Sequence, residues 1–374
     1  MKFEDIIKDA EERRERLING GYNCIPFPFE RFRCIYPGTE QAKYIILTAN
    51  QKVGKTKLSD FLYIYEPIFF MLDNPNMNIN IYCFSLEITP KIKYYDFLAY
   101  LLYRLDGLCI TTADLRSTNK DKPVDPKILE LLKQDKYRKY IEKFEEKVEF
   151  ITDIKNPTGI HKYLREKALE RGHYNMVECT KPDGTTFQMR DQSNPYSLND
   201  DSEYNFVIID NYTNLTLENG LNKRETIEKM SKYCVDLRDT YKYTVIGVQH
   251  QAQSQEGIEN IKMNKIEPSS DGLGDCKLTT RDINCLIGLY NPYKFDRNEY
   301  EGYDLTRLMN YSRFLLICED RDYGAAGNVC PLFFNGASSF FGELPPPNDI
   351  KSLAKIYKHI EYLEQLKYTQ TNKT

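Results

Sequence analysis

The sequence predicts an α/β fold in which a mostly parallel central sheet is flanked by helices on both faces. Two observations favour this fold class. Apolar segments of strand length alternate along the chain with segments of helical periodicity. Several of the apolar segments, including 44–47, 206–209 and 245–248, are nearly continuous, which is typical of parallel strands buried on both faces. Ligands bind such sheets at the carboxyl ends of the strands, so the polar residues that follow each run are candidate site residues.

The composition narrows the function classes. The chain has 374 residues, a length that suits one large α/β domain with insertions or two domains. Hydrophobic residues make up 41% of it and charged residues 28%, which is ordinary for a soluble globular protein. The net charge of −4 gives no global basic signal, so any nucleic-acid contact must use local loops. We expect no membrane association, because no stretch is long enough to span a bilayer. Ten scattered cysteines without a CxxC pair favour a reducing cytoplasm.

The chain divides into three predicted segments. Residues 1–21 are predicted to form an amphipathic N-terminal helix, which packs either on its own domain or on a neighbouring subunit. Residues 22–345 form the main domain, and the polar segment at about 173–203 is expected to be an inserted hairpin or mobile loop. Residues 346–374 are predicted to form an amphipathic helix, which follows the triple proline 345–347, and a C-terminal tail.

The first candidate site is the loop after the run 44–47, which passes through a Gly-Lys-Thr triplet into a predicted helix, 57–72. Backbone N–H groups in such a strand–loop–helix unit bind phosphate. Lys55 would place a positive charge near the outer phosphates, and Thr56 would hold Mg²⁺. The usual motif begins with Gly where this chain has Ala49, so a chance triplet in a surface loop is an alternative. The candidate nucleotide-binding residues are Ala49, Asn50, Gln51, Lys52, Val53, Gly54, Lys55 and Thr56.

Acidic residues end two further strands. Glu87 directly follows the second strand, where it would polarise an attacking water. An acid is also ordinary in the first turn of a helix, so Glu87 alone is weak support. Asp210 ends the most hydrophobic strand of the chain. A carboxylate in that place is typical of the metal side of a nucleotide site, although a strand can also end in Asp without such a role.

Two later strand ends carry further candidates. His250 would sense the terminal phosphate, with Gln249 and Gln251 as alternatives for that role, and the competing interpretation is a structural histidine. Arg321 follows a late strand, in a turn that carries glycines. It would serve as an arginine finger across a subunit interface, whereas most arginines in hairpins are simply solvated.

Taken in order, these motifs resemble the RecA-like motor domain of replicative helicases of the DnaB type. The phosphate loop of that family also begins with Ala, as Ala49 does here. Residues 84–87 resemble the family's catalytic-glutamate motif, residues 207–212 its strand with the metal-side Asp, and residues 319–327 its finger hairpin. The resemblance covers roughly residues 20–345 and implies a RecA-like P-loop NTPase fold with ATP and Mg²⁺ as cofactors. The implied catalytic residues are Glu87, Lys55, His250 and Arg321, and the implied metal-holding residues are Thr56 and Asp210.

The chain departs from the family pattern in three places. Glu319 stands where the family usually has a Lys two residues before the finger Arg, which puts activation by the full Lys/Arg pair in doubt. His250 stands where the family usually has Gln. The N-terminal collar domain of the family has no counterpart in this sequence, and the short N-terminal helix resembles the family's linker helix. The missing collar and the 29 tyrosines would suit a phage-encoded protein, and the expected location is then the host cytoplasm.

The resemblance implies an ATP-dependent DNA helicase or translocase that moves 5′ to 3′ on single-stranded DNA. It would work as a ring, expected to be a hexamer, with a primase or loader as a further candidate partner. The alternative is a RecA-like DNA-dependent ATPase that acts in recombination or loading without unwinding. A ring needs few backbone contacts per subunit, because six subunits sum along the strand. The expected DNA contacts, in the loops after Asp210 and His250, are Lys223, Arg224, Lys262, Lys265 and Lys277.

Overall fold

The computed structural model describes residues 3–263 and 265–371. Met1, Lys2 and residues 372–374 of the predicted terminal segments, and Asn264 of the second expected DNA loop, lie outside the described residues. The helices are α1 (Phe3–Ile18), α2 (Lys55–Asp60), α3 (Glu66–Asp73), α4 (Pro90–Asp106), α5 (Thr112–Leu115), α6 (Pro126–Leu132), α7 (Asp135–Lys147), α8 (Pro157–Arg171), α9 (Lys223–Tyr241), α10 (Ile258–Lys262), α11 (Leu305–Leu308) and α12 (Ile350–Thr371). The strands are β1 (Ile25–Pro26), β2 (Gly38–Thr39), β3 (Tyr44–Ala49), β4 (Ile79–Ser85), β5 (Val148–Ile151), β6 (Gly172–Tyr174), β7 (Met176–Thr180), β8 (Thr186–Arg190), β9 (Tyr196–Leu198), β10 (Tyr204–Asp210), β11 (Thr244–His250), β12 (Cys285–Tyr290), β13 (Glu299–Tyr300), β14 (Tyr303–Asp304), β15 (Ser312–Asp320), β16 (Val329–Asn335) and β17 (Phe340–Glu343).

The predicted mostly parallel sheet is confirmed. It has nine strands in the order β17-β16-β15-β12-β3-β11-β10-β4-β5. Neighbouring strands in the series β12-β3-β11-β10-β4-β5 pair in parallel. The strands β15, β16 and β17 extend the sheet beyond β12 as an antiparallel meander. Because parallel neighbours need crossovers, helices cover both faces of the parallel part.

Alternate residues of each central strand enter opposite layers of the core. Ile45 and Leu47 of β3 pack with residues of α2, α3, α4 and α7 on one face. Tyr44 and Ile46 of the same strand pack with α8 and α9 on the other face. A third apolar cluster joins the antiparallel strands to α11 and α12. Burial on both faces explains why these strands have nearly continuous apolar sequences.

The strand register brings the functional strand ends to one edge of the sheet. Ala49 of β3 lies beside His250 of β11, and Asp210 of β10 lies beside Ser85 of β4. The Leu86 N–H donates to the Asp210 carbonyl at 2.8 Å, which fixes the residue before Glu87 against β10. The phosphate loop, Glu87, Asp210 and His250 therefore leave the sheet on the same side.

The helix predicted over 57–72 begins at Lys55 and extends to Asp73, and it has a π-helical turn over Phe61–Tyr65. The turn lies in an aromatic layer. The Tyr65 ring centroid is 4.8 Å from that of Tyr100, and the Phe61 ring centroid is 6.0 Å from it. The wider turn changes the direction of the side chains that follow it, since a π-turn adds one residue to the helical repeat.

The sequence predicts a helix over 158–171 that Thr158 caps, and the structure differs at the start of this helix, α8. The helix begins at Pro157, and Asn156 precedes it. Proline is favoured at this position because its missing N–H would be unpaired there anyway. The Thr158 N–H donates instead to the Glu218 carboxylate at 2.7 Å, so an acid from the loop after β10 binds this helix end.

The sequence also predicts a helix over 226–242, but this helix, α9, begins three residues earlier, at Lys223. Asn222 and Glu225 form a capping box, in which each side chain accepts from the backbone N–H of the other. Lys223 and Arg224 therefore lie on the first turn of α9, and their predicted placement in a loop is wrong.

The segment 173–203 forms two antiparallel ribbons, β6 with β9 and β7 with β8. The long loop expected after β11 contains the short helix α10. Helix α1 buries none of its described residues, so its docking on a neighbour stays a prediction. Among the described helices, none is long and apolar enough to cross a membrane.

Candidate functional site

A cavity of about 430 Å³ opens at the carboxyl edge of the sheet, beside the loop between β3 and α2. Lys55, Glu87 and His250, which come from three different strand ends, share this cavity with the phosphate loop. The lining residues are Asn50, Gln51, Lys52, Val53, Gly54, Lys55, Thr56, Lys57, Glu87, Ile88, Asp96 and His250.

Lys55 and His250 are bonded to each other across this cavity. The Lys55 Nζ lies 2.7 Å from the His250 Nδ1. Burial lowers the pKa of Lys55 to about 8, and the nearby carboxylates of Asp210 and Glu87 partly offset this effect. Burial, followed by the Lys55 charge, lowers the pKa of His250 to about 4, so the imidazole is neutral at pH 7. An ammonium can only donate, so Nδ1 accepts and the ring proton lies on Nε2.

Asn211 lies between Glu87 and His250. Its Nδ2 donates to the Glu87 Oε2 at 2.7 Å and lies 3.3 Å from the His250 Nε2. Its Oδ1 is buried and has no hydrogen-bond partner within the described parts of the chain. A buried acceptor without a partner is costly, so Asn211 offers an oxygen at this site that a water or ligand group would satisfy.

Asp210 is fully buried and held from two sides. The Thr56 Oγ1 donates to its Oδ1 at 3.2 Å. The Lys93 Nζ lies 3.2 Å from its Oδ2 and also binds both carboxylate oxygens of Asp60, at 2.8 and 2.9 Å. All three members of this charged triad are at most 2% exposed. The triad ties α2, α4 and β10 together and fixes the orientation of the Asp210 carboxylate.

The outer edge of the phosphate loop is bound by residues from two other loops. The Gln51 N–H donates to the Glu256 Oε1 at 3.0 Å, and the Lys294 Nζ donates to the Gln51 carbonyl at 3.0 Å. Glu256 and Lys294 also pair with each other at 2.7 Å. The segment after β11, which contains Glu256, is therefore bonded directly to the phosphate loop.

Of the three alternatives at the end of β11, only His250 lines the cavity. The Gln249 side chain donates to the carbonyls of Gly274 and Cys276, and it is fully buried. The Gln251 side chain donates to Thr48 and is 3% exposed. Both glutamines therefore hold the loop after β11 in place, and His250 is the one directed at the site.

Arg321 is exposed, and it does not line the cavity in the described part of the chain. Its Nη2 donates to the carbonyls of Thr280 and Arg281 of its own chain, at 3.3 and 2.8 Å. The folded chain therefore brings together the phosphate loop, Glu87, Asp210 and His250, but not Arg321.

The candidate DNA contacts lie in separate segments of the chain. Lys223 is half-buried and donates to the Leu215 carbonyl at 3.0 Å. The remaining four, Arg224, Lys262, Lys265 and Lys277, are exposed. Their exposure leaves them available to a partner but gives no preassembled binding surface.

Sequence reasoning missed several residues of the site. Asn211 follows Asp210 directly, and the strand-end rule that selected Asp210 would also have found it. Lys93 and Asp60 lie inside helices without a local signal, because each resembles an ordinary polar position of an amphipathic helix.

We expect Lys93→Met to destabilise the fold by about 3–5 kcal/mol, because two buried carboxylates lose the cation that they share. Urea-induced unfolding would measure the change in the free energy of unfolding. The double variant Lys93→Met/Asp60→Asn should recover part of the loss, since one of the two acids is then neutral.

Lys232→Met provides a matched control, because Lys232 pairs with Glu228 at 3.0 Å on the exposed face of α9. Its effect should stay within about 0.5 kcal/mol. A loss for Lys93→Met no larger than that of the control would contradict the structural role of the triad.

The comparisons with known proteins concern the fold. No protein-family model and no curated protein matches the sequence. Among solved structures, the chain is similar to one described as an ATPase domain, at 14% identity and a TM-score of 0.59 over 91% of this chain and 99% of that one. It is also similar to a DnaB-like replicative helicase studied for its interactions with primase, at 14% identity and a TM-score of 0.61 over 91% of this chain and 66% of that one. The chain thus has the RecA-like α/β fold of DnaB-like helicase ATPase domains, and the predicted fold class is confirmed.

Proposed function

We propose that the protein is an ATP-driven helicase or translocase on single-stranded DNA, similar to the DnaB-type motors. The observation that carries this proposal is the meeting of Lys55, Thr56, Glu87 and His250 around a single cavity at one edge of the sheet. Buried Asp210 joins them through its hydrogen bond with Thr56. Two similar structures are described as an ATPase domain and a replicative helicase, which supports the same function.

The phosphate loop fits a polyphosphate. Gly54 has a φ of +108°, a left-handed conformation that favours glycine and directs the loop backbone into the helix. Both polar atoms of the Asn50 side chain are buried, and no described residue bonds to them, so they are available to a ligand. A volume of about 430 Å³ lies within the range of ligand sites in proteins.

The proposed Mg²⁺ would be held by Thr56 and Asp210, which already share a hydrogen bond. Over residues 3–263 and 265–371 there is no cluster of three or more His, Cys, Asp or Glu side chains arranged to hold a metal ion. The remaining ligands would therefore be phosphate oxygens and waters, as is usual for Mg²⁺. When bound, the ion neutralises charge on the phosphates.

A second cavity, of about 390 Å³, suits the nucleoside part of the nucleotide. Phe334 lines it and also faces Gly54, where an added Cβ would lie 3.1 Å from the ring. Tyr293 and Tyr311 are further aromatic walls, and Asn310 and Asn335 supply polar groups. Aromatic faces beside a few polar atoms are the usual environment of a base.

Nucleotide binding would exchange the partners of Lys55. Phosphate oxygens attract the ammonium away from the His250 Nδ1, and the ring proton can then move to Nδ1. The Nε2 would become an acceptor for the Asn211 amide, which lies 3.3 Å away. Glu87, held by the same amide at 2.7 Å, would orient the attacking water. His250 would thus report the presence of the terminal phosphate to the loop that follows it.

The motor would work as a ring, in which ATP binds between subunits and Arg321 is supplied by the neighbour. To reach another subunit, Arg321 would have to release two carbonyls of its own chain. DNA would contact Lys223 and Arg224 of α9 and the exposed lysines of the segment after β11, and a primase or loader would be a further partner.

The alternative is a RecA-like ATPase that responds to DNA, in recombination or loading, without unwinding it. Glu319 favours this alternative, because it stands two residues before Arg321 where a second cation would help to neutralise the transition state.

Glu87→Gln should lower the ATP hydrolysis rate about 100-fold or more, because the water loses its general base. Lys55→Ala should also abolish turnover by weakening the hold on the phosphates. Lys91→Ala is the control, since Lys91 is exposed on the neighbouring helix α4. Hydrolysis would be measured with and without single-stranded DNA, and strand displacement on a forked duplex.

Unchanged hydrolysis in both site variants would show that the site assignment is wrong. DNA-stimulated hydrolysis by the wild type that never displaces a strand would favour the alternative function.

Arg321→Ala subunits mixed into wild type should depress hydrolysis below the value expected from dilution, because each altered subunit leaves a neighbour's site incomplete. Arg307→Ala subunits are the matched control, since Arg307 stacks on Tyr357 of its own chain. Mass measurement with ATP and single-stranded DNA would establish the assembly state in the same samples. Activity that follows simple dilution would exclude a shared site.

A further inference from the structure

Arg313, the second residue of β15, is a buried cation that the proposed mechanism does not use. It is 2% exposed. Its Nε donates to the Val53 carbonyl of the phosphate loop at 2.7 Å. Its Nη1 donates to the carbonyls of Asn310 and Ser312 at 2.9 and 2.7 Å, and its Nη2 to the Asn310 Oδ1 at 3.2 Å. Every acceptor is a neutral carbonyl or amide oxygen.

Arg313 makes no ion pair with any carboxylate of the described residues. Burial alone lowers its pKa to about 9, and no acid is close enough to oppose this effect. Lys93, the other fully buried cation near the site, contacts two carboxylates. Buried charges in proteins are normally paired, because an ion removed from water without a counter-ion is costly. The burial of the Arg313 charge without a carboxylate partner among the described residues therefore requires a functional explanation.

The guanidinium lies in a layered contact with the loop. Its Cζ is 4.6 Å from the centroid of the Phe334 ring. The same ring lies against Gly54, whose added Cβ would be 3.1 Å from it. Arg313 thus reaches the Val53–Gly54 peptide in two ways, through its bond to the Val53 carbonyl and through the Phe334 ring.

The bond to Val53 also orients the next N–H. In a trans peptide the C=O and the N–H point in opposite directions. Since the Val53 carbonyl points to Arg313, the Gly54 N–H points away from it. A cation on the carbonyl strengthens the dipole of the peptide group, which makes that N–H a better donor. Val53 and Gly54 both line the cavity proposed for phosphates.

We propose that Arg313 is a positioning residue of the phosphate loop, whose unpaired charge is balanced only when the phosphates of a nucleotide bind. The proposal rests on the proposed nucleotide site but not on hydrolysis or on DNA movement. Arg313 orients the Gly54 N–H through the Val53 carbonyl, and its positive charge favours the polyphosphate. The nucleotide-free protein carries the cost of the buried charge, and the bound state recovers it.

Three variants separate charge from hydrogen bonding. Arg313→Met removes both, Arg313→Gln keeps a neutral donor, and Arg313→Lys keeps the charge without the planar fork. The readouts are the Kd for Mg-ADP, the Kd for inorganic tripolyphosphate and the thermal unfolding of the ligand-free protein. Arg307→Met is the matched control, because Arg307 also stacks on an aromatic ring, at 3.8 Å, away from the loop.

The Met and Gln variants should bind both ligands about tenfold more weakly or worse, whereas the Lys variant should stay within about threefold of wild type. The melting temperature of the ligand-free Met and Gln variants should fall only slightly, because the substitution also removes a costly unpaired charge. If Arg313→Met does not fold, the comparison of the Gln and Lys variants decides the same question.

Wild-type affinity in Arg313→Met or Arg313→Gln, or an equal loss in Arg307→Met, would overturn the role of Arg313. Wild-type binding of both ligands without hydrolysis would instead overturn the proposed motor and leave this role standing. If the wild type bound neither ligand, both proposals would fall.

Discussion

The site depends on one constraint, the burial of the central strands on both faces. All residues of β3, β4 and β10 are buried, and in β11 only His250 is not. Charged groups cannot lie along such strands without large desolvation costs, so they collect where the strands end. The parallel register then places the four ends at one edge. The same packing that stabilises the core thereby concentrates the reactive groups in one place.

This constraint explains how much could be predicted from the sequence. The strand positions, the phosphate loop and the acidic strand end at Asp210 follow from short, contiguous patterns. The role of Lys93 could not be predicted from the sequence, because its two partners are 33 and 117 residues away and no local pattern indicates such a contact. The start of α9 is a different case. The Asn222–Glu225 pair has the capping-box spacing in the sequence, whereas the apolar periodicity of the helix begins later, so periodicity alone places the start of α9 too late.

The charged groups of the cavity are already bonded to protein atoms. Lys55 holds His250, Asp210 holds Lys93 and Thr56, and the Gln51 N–H holds Glu256. A ligand would therefore replace existing bonds, and its affinity would reflect the difference between the two sets. Arg313 differs, since its hydrogen bonds all go to neutral oxygens and no carboxylate of the described residues pairs with it. The site thus contains groups, such as Lys55, that must exchange partners when a ligand binds. It also contains Arg313, which has no counter-ion among the described residues.

The π-turn over Phe61–Tyr65 divides a single helical stretch into two parts that pack against different surroundings. Before it, Lys55, Thr56 and Asp60 must face the site and the charged triad. After it, the helix must present its aromatic and aliphatic side chains to the core layer around Tyr100. In a regular α-helix the directions of the side chains at one end would fix the directions at the other end. The extra residue of the π-turn changes this offset, so that each end faces its own partners. A deletion of one residue within the π-turn would therefore rotate one end of this helical stretch relative to the other, and the two sets of contacts could not both be kept.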